Sequence, residues 1–216
     1  MIQNILFDFD GVICESVDIK TDAFYELYLP EGKVIAEAVK KHHIENGGMA
    51  RYDKFRHYET KFIGKDLTEE RMESLSKEFS CLVKKKVIAA SFVVGALEFL
   101  KEFSQNYKCF IISATPIDEM KEIAREKNID IFFKEIFGSP KDKTTWAKYI
   151  LETYELKAKE TLFIGDARSD YGAAKANDMH FLLRRTKDNK KLFDKTVSSM
   201  PDLKNLNVYI TEQFDS

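Results

Sequence analysis

The chain has 216 residues, 44% of them apolar and 32% charged, with a formal net charge of −2. This composition can build a core under a charged surface, which argues against disorder. The near-neutral balance gives no reason to expect nucleic acid or an anionic membrane as a partner. The length suits one α/β domain, or such a core with a smaller insertion.

Ile2 to Phe7 reads as a short buried strand, stopped by Asp8-Phe9-Asp10-Gly11. Helical spacing then runs from Asp18 to Leu29, up to Pro30. Val34 to Asn46 is a second helix, closed by Gly47-Gly48, and Arg51 to Phe62 a third, closed by Gly64. Thr68 caps a long fourth helix toward Ile88, with Glu69 and Glu70 in its first turn. Val93 to Phe103 is helical and Lys108 to Ser113 a strand. Behind Thr115 as a cap, Pro116 opens a helix to Asn128. Ile131 to Phe137 reads as a strand or a strand plus turn, Thr144 to Tyr154 as a helix, and Thr161 to Ile164 as a strand. Ser169 to Ala176 is a helix, His180 to Leu183 a strand, and Val208 to Ile210 a small last strand.

Strands alternating with helices predict an α/β fold, a Rossmann-like parallel sheet core with right-handed crossovers. The helices after the first strand predict an inserted all-helical cap domain over residues 15–88, leaving 1–14 and 89–216 as the core. Cys14, Cys81 and Cys109 are odd in number and widely spaced, which fits neither a disulfide framework nor a zinc site and suggests a cytoplasmic protein. The first eight residues reach an acid without a signal-peptide pattern, and no run approaches the ~18 apolar residues of a membrane span. Lys84-Lys85-Lys86 reads as a solvated helix terminus.

Ligands of open parallel sheets bind beyond the carboxyl ends of the strands. Polar residues at those ends are Asp8 and Asp10, Ser113 and Thr115, Lys141 and Lys143, and Asp166 and Asp170. Carboxylates gathered in one cleft repel one another, and a hard divalent cation such as Mg²⁺ relieves this. A hydroxyl, backbone N–H groups and a lysine suit phosphate oxygens. One carboxylate can attack phosphorus, and a second can pass a proton to the leaving oxygen.

Three segments carry a resemblance. Asp8-Phe9-Asp10-Gly11-Val12 resembles the D-x-D-G-x first motif of the haloacid dehalogenase-like superfamily. Ser113-Ala114-Thr115 is similar to its second motif, and Gly165-Asp166-Ala167-Arg168-Ser169-Asp170 to its G-D-x-x-x-D fourth motif. Their order and spacing agree over nearly the whole chain, in the helical-cap branch that holds phosphoglycolate phosphatase-like and β-phosphoglucomutase-like enzymes. The resemblance implies Asp8 as nucleophile and magnesium ligand, and Asp10 as general acid/base that also binds the ion through its carbonyl. It implies Asp166 as a direct ligand, Asp170 as a ligand or a partner through water, and Ser113 with the Ala114 N–H as the phosphoryl cradle. Gly-Ser-Pro-x-x-Lys favours Lys143 as the motif lysine; counting back from Asp166 favours Lys141. The dehalogenases of the superfamily lack the second aspartate, so Asp10 favours phosphoryl transfer.

In the helical block, Gly48-Met49-Ala50-Arg51 resembles a G-x-x-R segment whose arginine grips the far end of the substrate; Gly48, Arg51 and Lys54 are therefore candidate substrate-binding residues. The plain readings beside this are a helix stop at the double glycine and a surface pair of Arg51 with Asp53 or Glu45. Ser16 and Thr115 read as structural. His42, His43, His57 and His180 read as surface or core residues, and Trp146 as core. The expectation is a magnesium-dependent phosphatase acting on a small phosphorylated metabolite through an aspartyl-phosphate. A phosphomutase of the same fold is the alternative, and a non-catalytic binding module a more distant one.

Overall fold

The computed structural model describes residues 1–214. A six-stranded sheet runs through it: β1 (Asn4–Phe7), β2 (Lys108–Pro116), β3 (Glu135–Ser139), β4 (Thr161–Gly165), β5 (His180–Arg184) and β6 (Ser199–Met200). They stand in the order β3-β2-β1-β4-β5-β6, and every pairing is parallel. β1 is only four residues long, yet it is buried on both faces between β2 and β4. Successive side chains of a strand point to opposite faces, so β1 feeds two cores. Ile5 and Phe7 join Phe99, Met120, Ile123 and Leu206 on one side. Leu6 joins Phe110, Ile112, Ala147, Phe163 and Ala173 on the other.

The stretch between β1 and α5 (Ala96–Phe103) contains α1 (Val17–Tyr28), α2 (Lys33–Glu45), α3 (Arg51–His57) and α4 (Glu69–Ala89). A π-helical segment over Tyr58–Ile63 continues α3 and stops at Gly64, whose φ of +77° is left-handed. In this helical block Phe24 packs edge to face on Phe55 and Tyr58, as Phe55 does on Phe79, while Phe24 and Phe79 lie tilted at 4.2 Å between ring centroids, and a fully buried aromatic ring contributes roughly 1.5–3 kcal/mol. The Thr68 hydroxyl accepts the Arg71 N–H at 3.2 Å, the expected cap of α4. The remaining helices are α6 (Ile117–Glu126), α7 (Lys143–Thr153), α8 (Arg168–Ala176) and α9 (Leu206–Phe214). No described helix is long and apolar enough to cross a membrane. Cys14 and Cys109 are buried free thiols and Cys81 an exposed one.

Four sequence expectations are corrected. Val208 to Ile210 lie in α9 and not in a strand: Leu206 and Ile210, one helical turn apart, are the buried residues of that segment. The sheet's edge is β6, whose two residues are too few to show alternation. β2 runs on through Pro116, which pairs with Ser139 of β3, so α6 starts at Ile117 and Thr115 is no cap. Ile131 belongs to a 3₁₀ turn, and β3 begins at Glu135.

Candidate active site

β1 and its neighbours β2 and β4 all end at the same edge of the sheet. The chain runs outward from β1 through β2 to β3 and then crosses back to β4 on the other side of β1, and this reversal opens a crevice at the carboxyl ends of β1 and β4. Asp8, one residue past β1, lies in that crevice. Its Oδ1 accepts the Phe9 N–H at 2.7 Å, and its Oδ2 lies 2.8 Å from Lys143 Nζ. Lys143, the first residue of α7, also donates to Asp170 Oδ1 at 2.6 Å. Asp170 Oδ2 accepts the N–H groups of Ala167 and Asp166, tying the turn after β4 to α8. Asp8, Asp166 and Asp170 each place one carboxylate oxygen within 4.8 Å of the others. Gly11 makes this possible: its φ is +76°, and a Cβ there would stand 2.3 Å from Asp166 Oδ2.

Asp10 faces the helical block. Its Oδ1 accepts the Ser16 hydroxyl at 2.6 Å, and its Oδ2 accepts Lys20 Nζ of α1 at 2.5 Å. Lys20 also donates to Thr115 Oγ1 at 2.7 Å. Ser113, at the end of β2's hydrophobic run, is buried, and its Oγ accepts the Thr115 N–H. Asp8, Ser113, Ala114 and Lys143 form the floor of a cleft of about 1170 Å³, while His43, Gly48 and Lys54 of the helical block line it from above.

Burial pushes the Asp8 carboxyl up to about 7. Lys143 opposes this, and the charges of Asp170 and Asp10 add to it. Burial likewise raises Asp166 well above the usual carboxylate range, helped by Asp8 and Asp170. For Asp10, burial is outweighed by the Lys20 charge and by the hydrogen bonds from Lys20 and Ser16, so its carboxyl is held low. Burial opposes the Lys143 charge, but Asp170 and Asp8 outweigh it and raise its pKa. Ionised together, the three carboxylates would exceed the one ammonium by two charges, and this repulsion is part of what raises Asp8 and Asp166. The donors are all oxygens. That set fits a hard divalent cation such as Mg²⁺. Asp8 and Asp166 are the readier ligands, because Asp170 already serves Lys143 and two N–H groups.

The structure places Lys143, not Lys141, at the carboxylates; Lys141 lies over the Trp146 ring at 4.4 Å. Trp146 is half-buried and packs against Phe137, its Nε1–H donating to the Gly138 carbonyl. Arg51 pairs with neither Asp53 nor Glu45. Its fork takes Glu119 of α6 at 2.6 and 3.0 Å, it donates to Ser80, and its guanidinium stacks on Phe79. Lys54 is buried and lies 2.8 Å from His43 Nδ1. Gly48 touches the core: a Cβ there would stand 1.8 Å from Ser169 Oγ. His42 and His57 stack on each other, half-buried, and His180 meets Phe214.

Lys20, Glu119 and Asn189 went unread in the sequence. The Asn189 Nδ2 donates to the Asp166 and Arg184 carbonyls and so pins the turn after β4. None of the three has a local signal, since each is a common surface residue whose partner is distant in the chain. Thr115 read as a cap; it instead bridges to Lys20 and Asp10.

Comparison with known proteins gives one family and one fold. A sequence-family match to haloacid dehalogenase-like hydrolase spans residues 5–183. No curated protein matches the chain. Among solved structures, β-phosphoglucomutase from Clostridium difficile is 18% identical, with a TM-score of 0.78, over 100% of this chain and 98% of that one. A predicted phosphatase from Clostridium acetobutylicum is 18% identical at a TM-score of 0.74, over 98% and 100%. A predicted phosphoglycolate phosphatase from Haemophilus somnus is 16% identical at 0.71, over 96% and 97%. At these identities the structures speak for the fold. The family match, covering most of the chain, says more: this protein belongs to the haloacid dehalogenase-like hydrolase family.

Proposed function

We propose that the protein is a phosphatase that hydrolyses a small phosphate monoester with Asp8 as nucleophile and Mg²⁺ as cofactor. The observation that carries this reading is the buried Asp8 carboxylate, held by Lys143 and the Phe9 N–H beside Asp166 and Asp170. Asp8, Asp166 and the Asp10 carbonyl would hold the ion, with Asp170 behind them. When bound, it would neutralise the carboxylates and the phosphoryl oxygens.

Ser113 Oγ and the Ala114 N–H receive phosphoryl oxygens at the end of β2, and Lys143 neutralises another. Asp8 attacks phosphorus and forms an aspartyl-phosphate as the ester oxygen departs. The anionic ester arriving beside Asp10 raises its carboxyl against the pull of Lys20 and Ser16, and the acid so protonated delivers its proton to that oxygen and then takes one from the attacking water. Lys20 and Ser16 hold Asp10 in place for both transfers. Residues 15–88 act as a cap domain whose closure keeps bulk water from the intermediate.

The test is phosphate release from p-nitrophenyl phosphate and a panel of phosphorylated metabolites with Mg²⁺. Wild type is expected to turn over, and Asp8→Asn is expected not to. Failure of the wild type on every ester, or full activity in Asp8→Asn, would remove the assignment. Supplying a sugar 1-phosphate with catalytic bisphosphate separates hydrolysis from mutase transfer: free phosphate marks the first, sugar 6-phosphate the second.

A further inference from the structure

Three basic side chains on the inner wall of the cleft are neutralised by the protein itself, whereas rim cations such as Arg168 and Lys187 stand in solvent. Lys143 meets Asp8 and Asp170, Lys20 meets Asp10, and Arg51 meets Glu119. Lys54 is different. It is 1% exposed and lines the cleft from α3, but no described carboxylate lies in ion-pair distance of it. Its partners are neutral: His43 Nδ1 at 2.8 Å, the Gly47 carbonyl at 3.2 Å, and the Phe24 ring at 5.3 Å from Nζ to centroid.

Those partners make a built seat for the amine. His43 is itself buried and tilted against Phe24 at 4.7 Å between ring centroids. Burial and the Lys54 charge hold the imidazole neutral. A neutral ring with Nδ1 facing an ammonium carries its proton on Nε2 and accepts from Lys54. The seat thus uses two of the three ammonium hydrogens and leaves one. A buried ammonium without a counter-charge is costly, and such an arrangement persists where a ligand supplies the missing charge.

We propose that Lys54, seated on His43, is the receptor for a second anionic group of the substrate, which makes the substrate class a phosphate monoester bearing a carboxylate or a second phosphate. The inference rests on the phosphatase reading above for the orientation of the substrate: transferring phosphoryl at Asp8, anionic tail under α3. Arg51 does not serve as this receptor, because Glu119 and Ser80 hold its guanidinium. Burial, with the Lys20 charge, pushes the Lys54 amine down to about 7, so the arrival of an anion also favours its charged form.

Binding tests this without any turnover. With Mg²⁺ present, calorimetry compares 3-phosphonopropionate and propane-1,3-bisphosphonate with propylphosphonate, whose tail is neutral. Wild type should bind at least one anionic-tailed ligand about tenfold or more tighter than propylphosphonate, the scale of a charge-assisted hydrogen bond. The tighter of the two tells carboxylate from phosphate as the tail. Lys54→Met, which keeps the buried stem, should erase the preference, and Lys54→Gln is the second variant should Met fail to fold. Equal affinities in wild type, or a preference that survives loss of the amine, would overturn the proposal. Turnover of p-nitrophenyl phosphate in the same preparation reports on the phosphatase reading separately, since that ester has no anionic tail.

Discussion

Asp10 and Asp8 stand two residues apart, yet their surroundings drive them in opposite directions. Lys20 and Ser16 hold Asp10 ionised, while burial pushes Asp8 up to about 7. If Lys20 orients Asp10 for proton delivery, Lys20→Met should lower kcat for an alkyl phosphate by about 10²-fold. It should lower kcat far less for p-nitrophenyl phosphate, whose leaving group needs little protonation. Equal losses on both esters would count against that role. For Asp8, the folded protein keeps a proton between its ordinary value near 3.8 and about 7, where the unfolded chain has lost it. Asp8 therefore lowers stability as pH rises through that window. In a chelator, Asp8→Asn should unfold at a higher temperature than wild type, and the gap in Tm should widen from about pH 4 to about pH 7. A gap that shrinks over this range would contradict the charge balance described for the site.

At the scale of elements, the turn between α2 and α3 meets the start of α8. Gly48 is the point of contact: a Cβ there would stand 1.8 Å from Ser169 Oγ and 3.0 Å from the Ala167 side chain. A methyl group at this place cannot be absorbed by the rotation of one hydroxyl alone. Gly48→Ala should cut kcat/KM by about tenfold through misplacement of Lys54 and the turn. Ser169→Ala in the same chain should recover only part of the loss, because Ala167 remains. Steady-state kinetics of the single and double variants check both statements. No loss in Gly48→Ala would show that the turn need not seat on α8 for catalysis.

The whole molecule is joined across its two layers by Arg51, Ser80 and Glu119. The pair's side chains are 4% and 10% exposed, and the arginine binds Glu119 with both nitrogens of its fork. Removing one partner leaves a buried charge, so Glu119→Gln should cost about 3 kcal/mol in denaturant unfolding. Burial raises the Glu119 carboxyl, but the Arg51 charge and the hydrogen bonds outweigh it and hold it below its ordinary value of 4.5. Its stabilisation is thus present above that value and lost as pH falls through the lower, folded one. The stability difference between wild type and Glu119→Gln should accordingly narrow below about pH 4.5. A divalent cation held by Asp8 and Asp166, as proposed, would act on the other half of the fold. At a hundredfold excess over its Kd, Mg²⁺ should add about 2.7 kcal/mol at neutral pH, and substantially less in Asp8→Asn.

Much of this was legible in the residues alone. Asp8, Asp10, Asp166 and Asp170 stand in short motifs at strand ends, and a strand end in a parallel sheet leaves few places for its next side chain to go. The helical block was legible because Thr68, the double glycine and Gly64 mark its breaks locally. The edge of the sheet was not: β6 has two residues, and α9 carries β-branched residues on a helix. Which lysine reaches Asp8 depended on where α7 begins relative to β1, and the structure chose Lys143. Arg51 with Glu119, Lys20 with Asp10 and Lys54 with His43 are pairs between different elements, and no spacing along the chain announces them. Local propensity and motif chemistry act over a few residues, so the sequence by itself determined most of the elements and the carboxylate set. Burial and charge partners exist only after packing, so the tertiary structure alone decided which buried cations are neutralised and that Lys54 is left facing the cleft without a carboxylate.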